Sequence, residues 1–291
     1  MRVHMDYFTP FWCKLSWTPW VPFSATSQEF KLIPREPGLY RVRPAGKDFL
    51  MYIGETRRSL RDRLNELRHT LIRQDLMPWN DPHTAAPSLW AWHDAEGFSY
   101  ECSAACLDAP QNERRGWESY LLAQYRRQYG ESTLCNFGRF HKRYRKSTNR
   151  KEGRRGGKLA ENHLDNPAGG PSIPPLSVTG KPGDPNWMGF TWSGRKSLNI
   201  ENTGSVPTRA GLYFLVDGDS QEIVYIGQST NCSNRLQEHS RKSWDEKHLH
   251  FSYYLVEKPV LAHNLKELEI DLIGNYFEVY KKGPEFQFSS K

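Results

Sequence analysis

Long apolar runs are what this chain of 291 residues most plainly lacks. No stretch approaches the roughly 20 apolar residues needed to cross a bilayer, and no basic segment leads into an apolar one at the N-terminus. An integral membrane protein and a secreted precursor are therefore not expected, and the chain reads as soluble and cytoplasmic. Cysteine is scarce too: there are five, an odd number, with no CxxC spacing. That speaks against a disulfide scaffold and for a reducing compartment. His83, His93, Cys102 and Cys106 fall near one another in the chain, but not at any standard zinc-ligand spacing. A basic excess is also missing from most of the sequence. The formal net charge is +7, yet residues 139–158 hold ten Lys or Arg against one acid, which leaves the remainder at −2.

What is present is a duplication. Gly38-Leu39-Tyr40 is followed by Tyr52-Ile53-Gly54, and Gly211-Leu212-Tyr213 by Tyr225-Ile226-Gly227, with 16 positions between the first and last glycine in both. A repeated pattern of this kind governs the architecture. With 37% hydrophobic and 13% aromatic residues the chain can build compact cores, and its length suits two domains. Each copy reads as a short β-hairpin feeding a helix, with turn material at Pro44–Asp48 and Asp217–Ser220. Alternation along the strands puts Tyr40 beside Tyr52 across the hairpin, and Tyr213 beside Tyr225. Gly54 and Gly227 are expected to permit a sharp exit from the second strand. Ser59, and Asn231 or Ser233, then begin a helix whose first turns carry Arg63 or Arg235.

Later in each copy a helical apolar stripe contains a glutamate. Apolar residues stand three and four places after Glu118 (Leu121, Leu122) and likewise after Glu269 (Leu272, Ile273), which selects Glu269 over Glu267. Eighteen positions beyond each comes an amide, Asn136 after Glu118 and Gln287 after Glu269. Besides the amide, the copies differ elsewhere: one extra residue separates Gly54 from Arg63 compared with Gly227 from Arg235. About twenty residues are inserted in the first, over residues 77–93, and it has Leu67 four places after the arginine where the second has His239.

At these residues the chain resembles the GIY-YIG nuclease superfamily. The resemblance implies an α+β fold of two tandem GIY-YIG domains, each a small, mainly antiparallel three-stranded sheet flanked by helices. It also implies hydrolysis of DNA phosphodiesters with a divalent metal, Mg²⁺ or Mn²⁺. The family's two tyrosines map to Tyr40 and Tyr52, and to Tyr213 and Tyr225. Its helical arginine maps to Arg63 and Arg235, its glutamate to Glu118 and Glu269 as metal ligands, and its asparagine to Asn136. Gln287, one methylene longer, stands in that last place in the second copy.

The chemistry asks for these residue types. Hydrolysis of an anionic diester needs neutralisation of charge growing on phosphate oxygens, which a fixed guanidinium fork and a carboxylate-held Mg²⁺ supply. It also needs a base. A tyrosine titrates near 10 unperturbed, so a neighbouring metal and arginine are expected to lower Tyr40 and Tyr213, with the second tyrosine or His239 relaying the proton.

The expected domains are 1–150, a first nuclease domain with a Trp-rich arm and a basic C-terminal segment, and 187–291, a second nuclease domain. Between them lies a Gly/Pro-rich linker, 151–186, expected to be a tether or strap. Both domains begin with an aromatic lead-in, read as a buried packing arm. Arg139, Lys142, Arg143, Arg145, Lys146, Arg150, Lys151, Arg154 and Arg155 suit a phosphate backbone. Together these features point to a DNA endonuclease of restriction or defence type acting on double-stranded DNA, with one active site per strand, as a monomer or homodimer. The alternative is a DNA-binding protein, or a repair or recombination nuclease, in which one unit is inactive.

Overall fold

The computed structural model describes residues 6–72 and 75–288. It is α+β, with antiparallel sheets and, among the described residues, six α-helices. None of these helices is long and apolar enough to cross a membrane. The chain divides into two compact units, Met1–Arg114 with Gln128–Ser172, and Arg115–Arg127 with Ile173–Lys291. The stretch read as a linker is thus shared out, residues 151–172 clustering with the first unit and 173–186 with the second.

In the first unit, β1 (Val21–Pro22), β2 (Gly38–Pro44), β3 (Tyr52–Thr56) and β4 (Tyr100–Cys106) form one antiparallel sheet in the order β1-β4-β2-β3. Helix α1 (Leu60–Ile72) follows β3, and α2 (Ala86–Glu96) lies within the insertion. Leu89 and Ala91 of α2 are fully buried in the same core as Leu60, Leu64 and Leu67 of α1. Helix α3 (Gln111–Tyr129) comes next in the chain, its Arg115–Arg127 clustering with the second unit, and after it a two-stranded ribbon of β5 (Tyr144–Arg145) and β6 (Gly157–Lys158) belongs to the first.

The second unit has the same order of strands. Strands β7 (Lys196–Ser197), β8 (Gly211–Asp217), β9 (Ile223–Ser229) and β10 (Leu249–Leu255) are arranged β7-β10-β8-β9. Its helices are α4 (Ile200–Gly204), α5 (Cys232–Ser240) and α6 (Ala262–Tyr280). Each sheet carries one strand more than the three expected. The addition is a two-residue strand contributed by the lead-in on the outer side of β4 or β10.

The duplication reaches further back than the hairpins. Trp17 and Trp192 each donate their indole N–H to the carbonyl of the tryptophan five residues earlier, Trp12 and Trp187, both at 3.0 Å. Thr18 and Ser193 then clamp the sheet identically. The Thr18 N–H donates to Ala104 O at 2.8 Å and its hydroxyl oxygen accepts from Ala104 N–H at 3.0 Å. Ser193 makes the same two bonds with Tyr253, at 2.9 and 3.0 Å. The lead-ins are packing arms, as expected: Trp12, Trp17, Trp187 and Trp192 are all buried. They cover the sheet face opposite the tyrosines. There the first unit places Arg41, its guanidinium 4.3 Å from the Trp17 ring centre, and the second places Phe214, 4.8 Å from Trp192.

The YIG glycines do not end a strand. Both β3 and β9 run on past them, to Thr56 and Ser229, and Gly54 and Gly227 sit opposite Tyr40 and Tyr213 in the ladder. A Cβ on Gly54 would lie 2.7 Å from the Tyr40 ring and 2.6 Å from that of Tyr52. On Gly227 it would lie 2.5 Å from Tyr213 and 2.8 Å from Tyr225. Glycine is required because two phenol rings lie across it, not because the chain turns.

Candidate active site

In the second unit the hairpin register sets Tyr213 diagonally from Tyr225 on one face, their ring centres 6.2 Å apart. Asn231 caps α5, its side chain accepting from Asn234 N–H at 3.1 Å, and this aims the first turns of the helix at the hairpin. One turn on, His239 Nε2 lies 2.8 Å from the Tyr213 hydroxyl. Tyr213 and His239 are buried, whereas Tyr225 and Arg235 are half-buried. Tyr225, Arg235, His239 and Gln287 line a cavity of about 430 Å³ with Trp244 and Phe286. Arg235 also lines a second cavity with Gln228 and Lys266.

Without a metal in place, burial dominates the electrostatics of the site. Burial pushes the Tyr213 phenol well above its ordinary value, and the charge of Tyr225 adds to this, while Arg235 opposes it without prevailing. Burial raises Tyr225 as well, reinforced by Glu269 and countered by Arg235. Neither phenol is lowered, because desolvation outweighs one guanidinium. Burial and the nearby charges of Arg235 and Lys242 push His239 down to about 3, so its imidazole is neutral. Arg235 loses some basicity to burial but gains more from Glu238 and the two phenols, and stays charged.

Glu269, at the eighth position of α6, acts electrostatically on Tyr213 and Tyr225 and is itself acted on by Arg235. Burial raises its carboxyl to about 7, against the pull of Lys266, the Gln228 N–H and Arg235. Glu267, two residues earlier, is fully buried and structural. It lies 3.6 Å from Arg126 and accepts from Ile173 N–H at 3.0 Å, while Asp271 takes the same guanidinium at 2.8 Å. The helical spacing that selects Glu269 over Glu267 therefore separates a carboxylate that acts on the two phenols from a packing one.

The first unit repeats the phenol pair and the helical arginine, and takes its imidazole from elsewhere in the chain. Tyr40 is buried, Tyr52 is half-buried, and their ring centres stand 5.9 Å apart. Ser59 caps α1, accepting from Asp62 N–H at 3.1 Å. Arg63 faces inward from the first turn and donates to Pro82 O at 3.0 Å. Leu67, the counterpart of His239, is core. In its place His83, from the insertion, sets Nε2 3.3 Å from the Tyr40 hydroxyl. His83 was visible in the sequence only as a poor zinc candidate; nothing local to it marks a partnership with a residue 43 positions earlier. Cys102 is buried and bonded to Val21 O, Cys106 is exposed beside Glu36, and the exposed His93 pairs with Phe98 O. These side chains do not converge, and no cluster of three or more metal-ligating side chains forms among the described residues.

Glu118 holds the eighth position of α3, as Glu269 does of α6, and is half-buried; it lies in Arg115–Arg127, which clusters with the second unit. The two amides do one job. Asn136 accepts from Ile53 N–H at 3.0 Å and donates to Ile53 O at 2.9 Å; Gln287 makes the same pair with Ile226, at 2.8 and 2.9 Å. Each supplies the free edge of β3 or β9 with a side chain in place of a neighbouring strand, and so holds the tyrosine before that isoleucine. The extra methylene of Gln287 leaves the clamp intact.

A single half-buried carboxylate, raised by burial and with no ion pair among the described residues, suits a hard cation that keeps most of its own waters. Glu269 fits Mg²⁺ or Mn²⁺ on that ground. Of the basic residues, Lys142, Arg145, Arg150, Lys151, Arg154 and Arg155 are exposed on or around the β5-β6 ribbon, and Arg143 and Lys146 are partly so. Arg139 is not available to a phosphate. It is buried and donates to Ser132 O at 2.9 Å and to Gly170 O at 3.4 Å. No protein-family model matches the chain, and no curated protein matches it.

Proposed function

We propose that the protein is a divalent-metal-dependent DNA endonuclease built from two tandem GIY-YIG units, each attacking a phosphodiester. The observation that carries this reading is the recurrence, in both units, of a glycine-spaced phenol pair with an imidazole on the deeper phenol and an arginine on the helix that follows. Packing alone does not ask for a phenol, an imidazole and a guanidinium together twice.

Glu118 and Glu269 would hold Mg²⁺ or Mn²⁺, which supplies charge neutralisation at the phosphate. Arg235 and Arg63 bind phosphate oxygen through a guanidinium that cannot lose its charge. Tyr225 and Tyr52, the more exposed phenols, orient the attacking water and the phosphate by hydrogen bonds. Tyr213 keeps its own proton until it can pass it to His239 while receiving one from water. A bound phosphate anion offsets the Arg235 charge that disfavours imidazolium and so makes His239 a better acceptor. Asn136 and Gln287 are positioning residues acting through the strand.

Two such sites suit a duplex, one per strand, in a restriction or defence role in the cytoplasm. Supercoiled plasmid incubated with Mg²⁺ or Mn²⁺ tests this: Glu118→Gln and Glu269→Gln singly should leave nicked circles, and together no product. Metal-dependent cleavage that survives the double substitution sinks the reading. One observation favours a second, in which the first unit grips DNA without cutting: Arg63 donates to the Pro82 carbonyl, while Arg235, although paired with Glu238, also lines a cavity. Its mark would be linear product unaffected by Glu118→Gln and salt-dependent binding that is retained.

A further inference from the structure

We propose that His83, carried in by the insertion, is the first unit's counterpart of His239: the imidazole partner of the hairpin phenol, brought from a different part of the chain. As a role in cleavage this rests on the nuclease reading above; as a pairing it does not.

The geometry is closely matched. His83 Nε2 is 3.3 Å from the Tyr40 hydroxyl and His239 Nε2 is 2.8 Å from that of Tyr213. The His83 ring stands edge-on to both phenols, 6.2 Å from Tyr40 and 6.3 Å from Tyr52; His239 lies 5.4 and 5.1 Å from Tyr213 and Tyr225. Both imidazoles are 1% exposed, and the Nδ1 of each is buried with no hydrogen-bond partner. A buried histidine held only through its bond to a tyrosine is costly as packing, and it occurs in both units. Burial pushes His83 well below its ordinary value, with Arg63 and Arg58 adding to the effect, as Arg235 and Lys242 do for His239.

The loop that delivers His83 is fastened at several points. Asn80 N–H donates to Thr148 O at 3.3 Å, and Asp81 accepts from Arg150 N–H at 3.2 Å. Arg155 donates to Met77 O at 2.8 Å and stands 4.7 Å over the Trp79 ring. The β5-β6 ribbon thus braces the segment from which the imidazole projects. That explains how the first unit, with Leu67 where the second has His239, can still give its phenol an imidazole partner.

In the proton step, the attacking water gives a proton to the Tyr40 oxygen as the Tyr40 hydroxyl proton moves to His83 Nε2. One water O–H is broken, the phenol O–H is kept and one N–H is made. The new P–O bond forms as the bond to the leaving ester oxygen breaks, and the imidazolium proton reaches that oxygen through solvent. His83 acts through Tyr40 and is a positioning and relay residue. The groups that face it are Tyr40, Tyr52, Arg63 and Arg58.

The test uses the full chain carrying Glu269→Gln, so that only the first unit can nick. Adding His83→Ala should lower the nicking rate about a hundredfold with DNA binding unchanged. Adding Leu67→His to that chain, which puts an imidazole four residues after Arg63 as in the second unit, should recover at least a tenth of the parent rate. A His83→Ala chain that nicks as fast as its parent overturns the proposal, and so does a Glu269→Gln chain that binds but cannot nick beside an active wild type. If the wild type cuts no DNA with Mg²⁺ or Mn²⁺, the nuclease reading fails, and imidazole ¹⁵N NMR decides the pairing alone. Tyr40→Phe should then move the His83 Nε2 resonance and leave that of His239 in place; a His83 signal that does not respond rejects the pairing.

Discussion

The Tyr213 hydroxyl and His239 Nε2 lie 2.8 Å apart inside a unit where burial raises the phenol and lowers the imidazole. Each neutral form is favoured by the same dry surroundings. The pair therefore rests as neutral phenol and neutral imidazole, and a proton passes to the imidazole only as another reaches the phenol oxygen.

A pH dependence of stability follows. A histidine whose folded pKa is depressed binds more protons unfolded than folded, so stability is lost as pH falls below the unfolded value near 6.5. For His239 the loss continues to about pH 3, at up to about 1.4 kcal/mol per pH unit. His83 shifts in the same direction. Thermal midpoints measured from pH 7.5 to 5.0 should fall, and His239→Asn should flatten the profile. An unchanged slope in that variant would show that His239 takes up its proton alike in the folded and unfolded chain.

Gly227→Ala should destabilise by roughly 1–3 kcal/mol, the cost typical of overpacking, because its methyl meets two tyrosine rings. Urea unfolding reads the stability, and plasmid nicking reads displacement of the phenols. Gly54→Ala should behave alike. Gly46, which takes a left-handed φ of 70° with nothing within 4 Å of a built Cβ, should lose only backbone ease when changed to Ala and leave nicking unaffected.

Glu267 and Glu269 should separate cleanly. Arg126→Met strands two buried carboxylates and should cost on the order of 3–5 kcal/mol, with Glu267→Gln costing less. Glu269→Gln should keep the melting temperature within a few degrees and abolish metal-dependent cleavage by its unit. The reverse pattern would assign the site to the wrong carboxylate.

Replacing Gln287 by Leu removes both bonds to Ile226. About 1–3 kcal/mol of stability should go with the unpaired strand groups, and the nicking rate of the second unit should fall with no change in the salt dependence of DNA binding. Gln287→Asn, one methylene shorter, should lie between the two.

Binding affinity against salt concentration checks the ribbon. Lys151→Ala and Arg154→Ala should each reduce the slope of log K against log[salt], by about 0.9 for every DNA phosphate that the side chain neutralises. Arg139→Ala should instead lower the unfolding midpoint and leave the slope alone, since its guanidinium is buried against Ser132 and Gly170.

Whatever depends on position along one element was legible in the linear chain. The repeated glycine and tyrosine offsets define two hairpins, because side chains alternate along a strand with a period of two residues. The arginine a few residues on, and the glutamate ahead of two apolar residues, follow from the period of a helix. Even the amide eighteen residues after each glutamate keeps its register, since nineteen-residue helices α3 and α6 set the spacing. What tertiary structure alone decided are the contacts that close large loops. His83 reaches Tyr40 only because the insertion folds back, and a leucine can vacate the helical histidine's role without any local sign of its replacement. Arg139, one of ten basic residues in a row of twenty, is buried because carbonyls distant in sequence happen to need its donors. The depth of Tyr213, which raises its pKa against the pull of Arg235, belongs to the same class. Desolvation is summed over everything that packs around a group, and no window of sequence contains that sum.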